Sequence, residues 1–168
     1  SVIVGIGALG MTLVIISGGI DLSVGSLVAL ATVVIGSYLR AVGAAGLEGA
    51  GAIWHPLAAA ALGVGAAALC GFLSGAMISA LRIVPFIITL GMMQIARGVA
   101  KWVGEEQTVV APDNWLNNLM IVEPSAGLWY SVAPGVWIML ALLLGVAAML
   151  RYTVFGRHVF AIGSNAAT

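Results

Sequence analysis

Ser17-Gly18-Gly19-Ile20-Asp21-Leu22-Ser23-Val24-Gly25 interrupts an otherwise apolar opening, and its reading decides the fold. Residues 1 to 39 hold a single charge, Asp21. A helix crosses the hydrocarbon core in about 20 residues at about 1.5 Å each. The opening is too long for one crossing and predicts two, near 1–16 and 24–40. The glycines and the helix-capping types Asp21 and Ser23 mark the joint between them.

The same reading extends along the chain. A third span is expected near 56–81, with Pro56 suited to a first helical turn. Arg82 to Pro85 turns the chain, because the residue before a proline avoids the helical region. A fourth span follows near 85–103. Residues 104–131 are polar, with Pro112, Pro124 and several Asn and Trp, and read as a loop with a short helix around Asp113 to Met120. A last span is expected near 132–150. The expectation is an all-α, polytopic helical membrane bundle: one transmembrane domain over 1–168 with about five spans.

Composition agrees. The chain is 62% hydrophobic and 7% charged, with a mean hydropathy of +1.17. Soluble domains carry about 25% charged residues, so this chain lacks the side chains to coat a surface in water, and membrane lipid is its natural solvent. Net charge is zero and the basic residues are scattered, which gives no footprint for a nucleic acid. The single cysteine, Cys70, sits in an apolar run and reads as a small core residue. His55 and His158 are far apart in sequence, so no metal site is expected. The chain begins within apolar sequence at Ser1, without Met or a basic n-region, which argues against a signal peptide. Both ends read as cuts in a longer protein.

Basic residues in short connections set orientation. Alternating spans put Arg82, Arg151 and Arg157 on one side and Glu48, Glu105, Glu106, Asp113 and Glu123 on the other, with Arg40 and Lys101 near the helix ends there. The first side is expected to be cytoplasmic. The parity puts the Ser17 to Gly25 break toward that side, and a break in mid-membrane is also compatible. Trp54, Trp102, Trp115, Trp129 and Tyr130 fall in or beside the opposite loops, as interfacial aromatics do. Gly63, Ala67, Gly71, Gly75 and Ser79 recur every four residues in the third span, a ridge that lets another helix backbone come close.

No catalytic constellation stands out: no Gly-Lys-Ser/Thr phosphate loop, no Ser/His/Asp set, no His-Glu-x-x-His. An enzyme and a cofactor are not expected, and any energy for work against a gradient comes from a partner. Asp21 is the most informative residue. A carboxylate at mid-helix in the bilayer costs about 2.5–3.5 kcal/mol on insertion scales. The cost falls if Asp21 caps the following helix, where free N–H groups and the dipole favour negative charge. Capping and a part in a substrate path are compatible readings, since transporters build sites and hinges from broken helices. Gln94, Arg97 and Lys101 share a face of the fourth span. Either Arg97 and Lys101 snorkel to the outer interface, or the three form a polar pathway wall. Thr89 and Gln94 are candidate hydrogen-bonding groups for a hydroxylated solute. The closing stretch, Phe155 to Ala166, reads as a basic juxtamembrane loop or a docking segment, with Ser164 or Asn165 capping a further helix.

Gly10-Met11-Thr12-Leu13-Val14-Ile15-Ile16-Ser17-Gly18-Gly19-Ile20-Asp21-Leu22-Ser23-Val24-Gly25-Ser26 resembles the signature of permeases in the ribose/xylose/arabinose/galactose family of bacterial ABC importers. Val84-Pro85-Phe86-Ile87-Ile88-Thr89-Leu90-Gly91-Met92 with Ile95-Ala96-Arg97-Gly98 is similar to a second block of that family. Phe155-Gly156-Arg157-His158-Val159-Phe160-Ala161-Ile162-Gly163-Ser164-Asn165 resembles the stretch leading into its coupling helix. The resemblance implies a sugar permease of about twice this length, working as a pair of permease subunits in the inner membrane. Its partners would be a cytoplasmic ATP-binding subunit and a periplasmic sugar-binding protein. Gly18, Gly19, Asp21, Ser23, Gly25, Thr89, Gln94 and Arg97 are then candidates for the pathway or a hinge. Gly156, Arg157, Gly163 and Asn165 are candidates for coupling to the ATPase. The chain departs from a whole member in lacking a leading segment and the C-terminal half, including most of the coupling helix. Three rivals remain: an ABC permease for branched-chain amino acids or another small solute, an ion-coupled secondary transporter, and a membrane scaffold.

Overall fold

The computed structural model describes residues 2–119 and 133–164. All regular structure among them is helical: α1 (Val2–Ile16), α2 (Val24–Gly46), α3 (Gly51–Leu81), α4 (Pro85–Val103), the single turn α5 (Trp115–Asn118), α6 (Pro134–Tyr152) and α7 (Val154–Ser164). Four of these, α2, α3, α4 and α6, are long and apolar enough to cross a membrane, and α1 is a shorter apolar helix of 15 residues. Large apolar side chains stand outward on them, among them Val64 and Phe72 on α3 and Leu144 on α6. Surfaces of that kind belong in lipid, and the protein is a polytopic helical membrane protein.

The chain divides into two compact units. One is Asp21–Leu116. In it α3 runs antiparallel to α2: Tyr38 meets His55 near one end and Leu30 packs beside Cys70 further along. The Arg82–Val84 turn sends α4 back along α3, so α4 runs the same way as α2. Arg82 closes α3 in the left-handed region (φ 53°), Val84 is extended, and Pro85 starts α4 with the fixed φ of a first helical residue. The core is built from Leu30 on α2 with Ala96 and Ala100 on α4, flanked by Leu27, Val33, Val34 and Cys70. Small alanines there let the helix backbones approach.

α6 ends just past its expected bound, at Tyr152, and two helices exceed theirs by more. α3 starts at Gly51 rather than near Pro56, because the N–H groups of Gly51, Ala52 and Ile53 already bond to Glu48, Gly49 and Ala50 carbonyls. Pro56 thus lies inside the helix, buried. α2 continues beyond residue 40 to Gly46 across a break at Gly43, whose φ of 70° suits glycine.

Of the small-residue ridge on α3, Gly63 alone is tightly covered. A Cβ there would lie 2.6 Å from Ile35 Cγ1 and 2.9 Å from the Ala31 carbonyl oxygen. Ala67 is half-buried, Gly71 and Gly75 have nothing within 4 Å of a Cβ position, and Ser79 is exposed. A second link between α2 and α3 is polar: Tyr38 Oη and His55 Nδ1 share a hydrogen bond of 3.0 Å. Tyr38→Phe is expected to cost about 1 kcal/mol, read as a lower midpoint in a thermal unfolding scan of the purified protein. An unchanged midpoint would show that the bond carries no net stability.

The other unit joins α1, α6 and α7. The closing stretch is not the basic loop entertained above. It is already helical from Val154 to Ser164, with Thr153 capping its start; the further helix expected after Ser164 or Asn165 lies outside the described residues. Thr153 Oγ1 accepts the Gly156 N–H at 3.2 Å while donating to the Met149 carbonyl at 2.6 Å. The hydroxyl thus satisfies one free donor of α7 and adds a second bond to the Met149 carbonyl, which also accepts the Thr153 N–H. Gly156 lies against the Leu150 backbone and Gly163 against the Ile16 carbonyl, so each glycine seats α7 where a side chain would collide with main chain. Asn165, Glu123, Trp129, Tyr130 and the start of the expected last span at 132 lie outside the described residues.

Candidate functional site

The break begins where α1 ends. Gly18 adopts φ 77°, a left-handed conformation that glycine reaches at no steric cost. The Ser17 hydroxyl donates to the Val14 carbonyl at 2.8 Å, and the Gly19 N–H donates to the same carbonyl at 2.9 Å. These bonds close off the last turn of α1. After Ile20 the chain enters the second unit, and Asp21 organises the start of α2. Its Oδ1 accepts the Ser23 N–H at 2.7 Å and the Ser23 hydroxyl at 2.6 Å. Ser23, 1% exposed, precedes the first residue of α2 and makes no side-chain cap of its own, its hydroxyl being committed to Asp21. The carboxylate therefore fixes the turn ahead of α2, near the positive end of the helix dipole.

α2 begins beside the middle of α4 rather than beside its start. Gly25, Ser26 and Ala29 from the first turns of α2 line a cavity of about 600 Å³ together with Arg97 and Lys101 from the second half of α4. Glu106, Gln107 and Thr108 supply its remaining polar wall. They follow a turn in which Glu105 and Glu106 both take positive φ, 55° and 57°, a conformation disfavoured for residues with a Cβ. Small residues leave the space open: Gly104 packs against the Val33 side chain, and a Cβ on Gly36 would meet Val109 Cγ1 at 2.9 Å. Beyond the cavity Arg40 approaches Glu105 at 3.8 Å, an exposed pair of small energetic weight.

The candidates from the sequence thus separate. Asp21 with Ser23, and Gly25 with Arg97, belong to one neighbourhood of one unit. Gln94 is exposed and does not line the cavity. Thr89 is buried, with its hydroxyl donating to the Phe86 carbonyl at 3.3 Å. Gly156 and Gly163 are packing positions on α7, and Arg157 is exposed on the same helix. Sequence reasoning missed Ser26, Glu106, Gln107 and Thr108, which line the same cavity as Arg97. No local pattern marks them, since the chain reaches the cavity only through a turn made by two glutamates in a glycine-like conformation.

The whole chain, residues 1–168, matches the family model described as branched-chain amino acid transport system / permease component. Among curated relatives, the fructose import permease protein FrcC of Rhizobium meliloti is 32% identical over 97% of this chain and 43% of its own length. The autoinducer 2 import system permease protein LsrC of Photorhabdus luminescens is 32% identical over 94% of this chain and 43% of its own. The inner membrane ABC transporter permease protein YjfF of Escherichia coli is 38% identical over 96% of this chain and 46% of its own. The chain spans a little under half the length of these relatives. No solved structure matches it significantly. With a family model covering every residue, the chain belongs to the family described as branched-chain amino acid transport system / permease component.

Proposed function

We propose that this chain forms part of the membrane-spanning permease of an ATP-driven importer that carries a monosaccharide across the bacterial inner membrane. Similarity to import permeases along at least 94% of its length carries the reading. The family description mentions branched-chain amino acids, yet two of the relatives named above are import permeases for fructose and for autoinducer 2; fructose is a polyhydroxylated sugar, which favours a hydroxylated solute. In this reading a cytoplasmic ATP-binding subunit drives the cycle, a periplasmic sugar-binding protein delivers the solute, and a second permease subunit completes the pathway. The Ser17 to Gly25 break is a hinge or pathway element. The two bonds that Asp21 accepts support it, because they hold the start of α2 in a single geometry that a change of state would have to break. The α7 region, with Arg157 exposed, leads toward the ATPase.

Purification of the protein from its native membranes, with mass spectrometry of the chains that come with it, tests the proposal. An ATPase with Walker motifs and a sugar-binding protein are the expected companions. A protein that purifies alone and moves solute under a proton or sodium gradient would overturn the ABC reading in favour of a secondary transporter.

A further inference from the structure

The cavity between α2 and α4 has an electrostatic character that import of a neutral sugar does not require. Three positive sources meet on it. The first turn of α2 presents the N–H groups of its opening residues, none bonded by the Ser23 side chain, and Arg97 and Lys101 line the opposite wall. Against them stands one acid, Glu106, and neither cation makes an ion pair with it or with any other described residue. Asp21 places a further negative charge at the same helix end, but it is bonded to Ser23 and does not line the cavity. Ser26 is 5% exposed, lines the cavity, and its hydroxyl has no hydrogen-bond partner among the described residues. The hydroxyl opens on the cavity, where it is free to bond a solute. The volume, about 600 Å³, lies within the range of small-molecule sites.

We infer that this cavity binds a hydroxylated anion: its charged group between the α2 N-terminus and Arg97 with Lys101, its hydroxyls toward Ser26, Gln107 and Thr108. The inference rests on the importer reading and deepens it by naming a ligand class. A sugar acid in solution and the glycerol phosphate headgroup of a membrane lipid share this chemistry, and the test separates them.

The probes are gluconate and glucose, titrated calorimetrically into the whole permease in nanodiscs of phosphatidylcholine, and again in nanodiscs containing phosphatidylglycerol. Gluconate is expected to bind more tightly than glucose. Arg97→Gln is expected to weaken gluconate by about tenfold, the scale of one lost charge-assisted hydrogen bond. Arg97→Lys keeps the charge and is expected to retain most of the binding. Ala29→Leu fills the cavity without changing charge and is expected to remove it. If phosphatidylglycerol instead displaces gluconate in an Arg97-dependent way, the anion site stands and its occupant is lipid. Equal affinity for gluconate and glucose, or gluconate binding indifferent to Arg97→Gln and Ala29→Leu, would overturn the inference. ATP-driven uptake of a neutral sugar, undiminished in Arg97→Gln, would remove this inference and leave the importer reading standing.

Discussion

Gly156→Val is expected to destabilise the protein by about 3 kcal/mol or more, the upper end of the usual range for overpacking. The physical reason is the obstacle. A side chain at position 156 would run into the main chain of Leu150, and backbone cannot step aside as a flexible side chain does. The N–H of Gly156 also donates to Thr153 Oγ1, so a displaced residue 156 would strip α7 of its cap. Size-exclusion of the fluorescently tagged protein after graded heating reads the effect as a large drop in the temperature at which the monodisperse peak is lost. Gly145→Val is the matched control. Gly145 is an exposed glycine of α6 with nothing near a Cβ position, and the change there is expected to stay within about 0.5 kcal/mol. Equal behaviour of the two variants would show that α7 does not seat against the end of α6 as described.

Asp21→Ala is expected to have the second large effect, on function more than on folding. Alanine removes the acceptor of both the Ser23 N–H and the Ser23 hydroxyl, and Ser23 is almost wholly buried. Loss of a cap-type acceptor costs about 0.5–2 kcal/mol. If the break is a hinge, each 1.4 kcal/mol moves the balance between its states by about tenfold. Uptake in the Asp21→Ala protein is therefore expected to fall by about tenfold at matched expression. Asp21→Asn separates geometry from charge. Its Oδ1 can still accept both bonds, each weaker without the charge, so its uptake is expected to lie between alanine and wild type. Wild-type uptake in Asp21→Ala would remove the break from the mechanism, and identical losses in Asn and Ala would assign the whole effect to the charge.

Much of the fold was legible because the bilayer simplifies the code. With water excluded, backbone groups must be satisfied within the segment. A run of about 20 apolar residues bounded by Gly, Pro or a charge is then a helix in either direction of reasoning. Pro85 at the first turn of α4 and the break at Ser17 to Gly25 follow from local chemistry alone, and so does the capping geometry at Asp21, which needs only Ser23 two residues on.

The limits were equally local. Pro56 suggested the start of α3, but three turn-type bonds donated to the Glu48, Gly49 and Ala50 carbonyls carry the helix back to Gly51. The stretch after Arg151 was open between loop and docking segment, because a short helix with two glycines has weak propensity. Its stability comes from backbone-close packing on Leu150 and Ile16, which no pattern within 154–164 encodes.

By itself the sequence determined the class of the protein, the break before α2, the start of α4, and its family, because hydropathy, caps and the Gly18-Gly19-Ile20-Asp21-Leu22-Ser23 block are properties of neighbours along the chain. Only the tertiary structure decided which polar groups share a space. Arg97 could snorkel outward or face a cavity with equal local logic. It lines a cavity with Ser26 and Glu106 because α2 starts beside the middle of α4 and the chain doubles back through Glu105 and Glu106. That relation is between residues some seventy positions apart, and it is set by how helices pack, not by what each helix is made of.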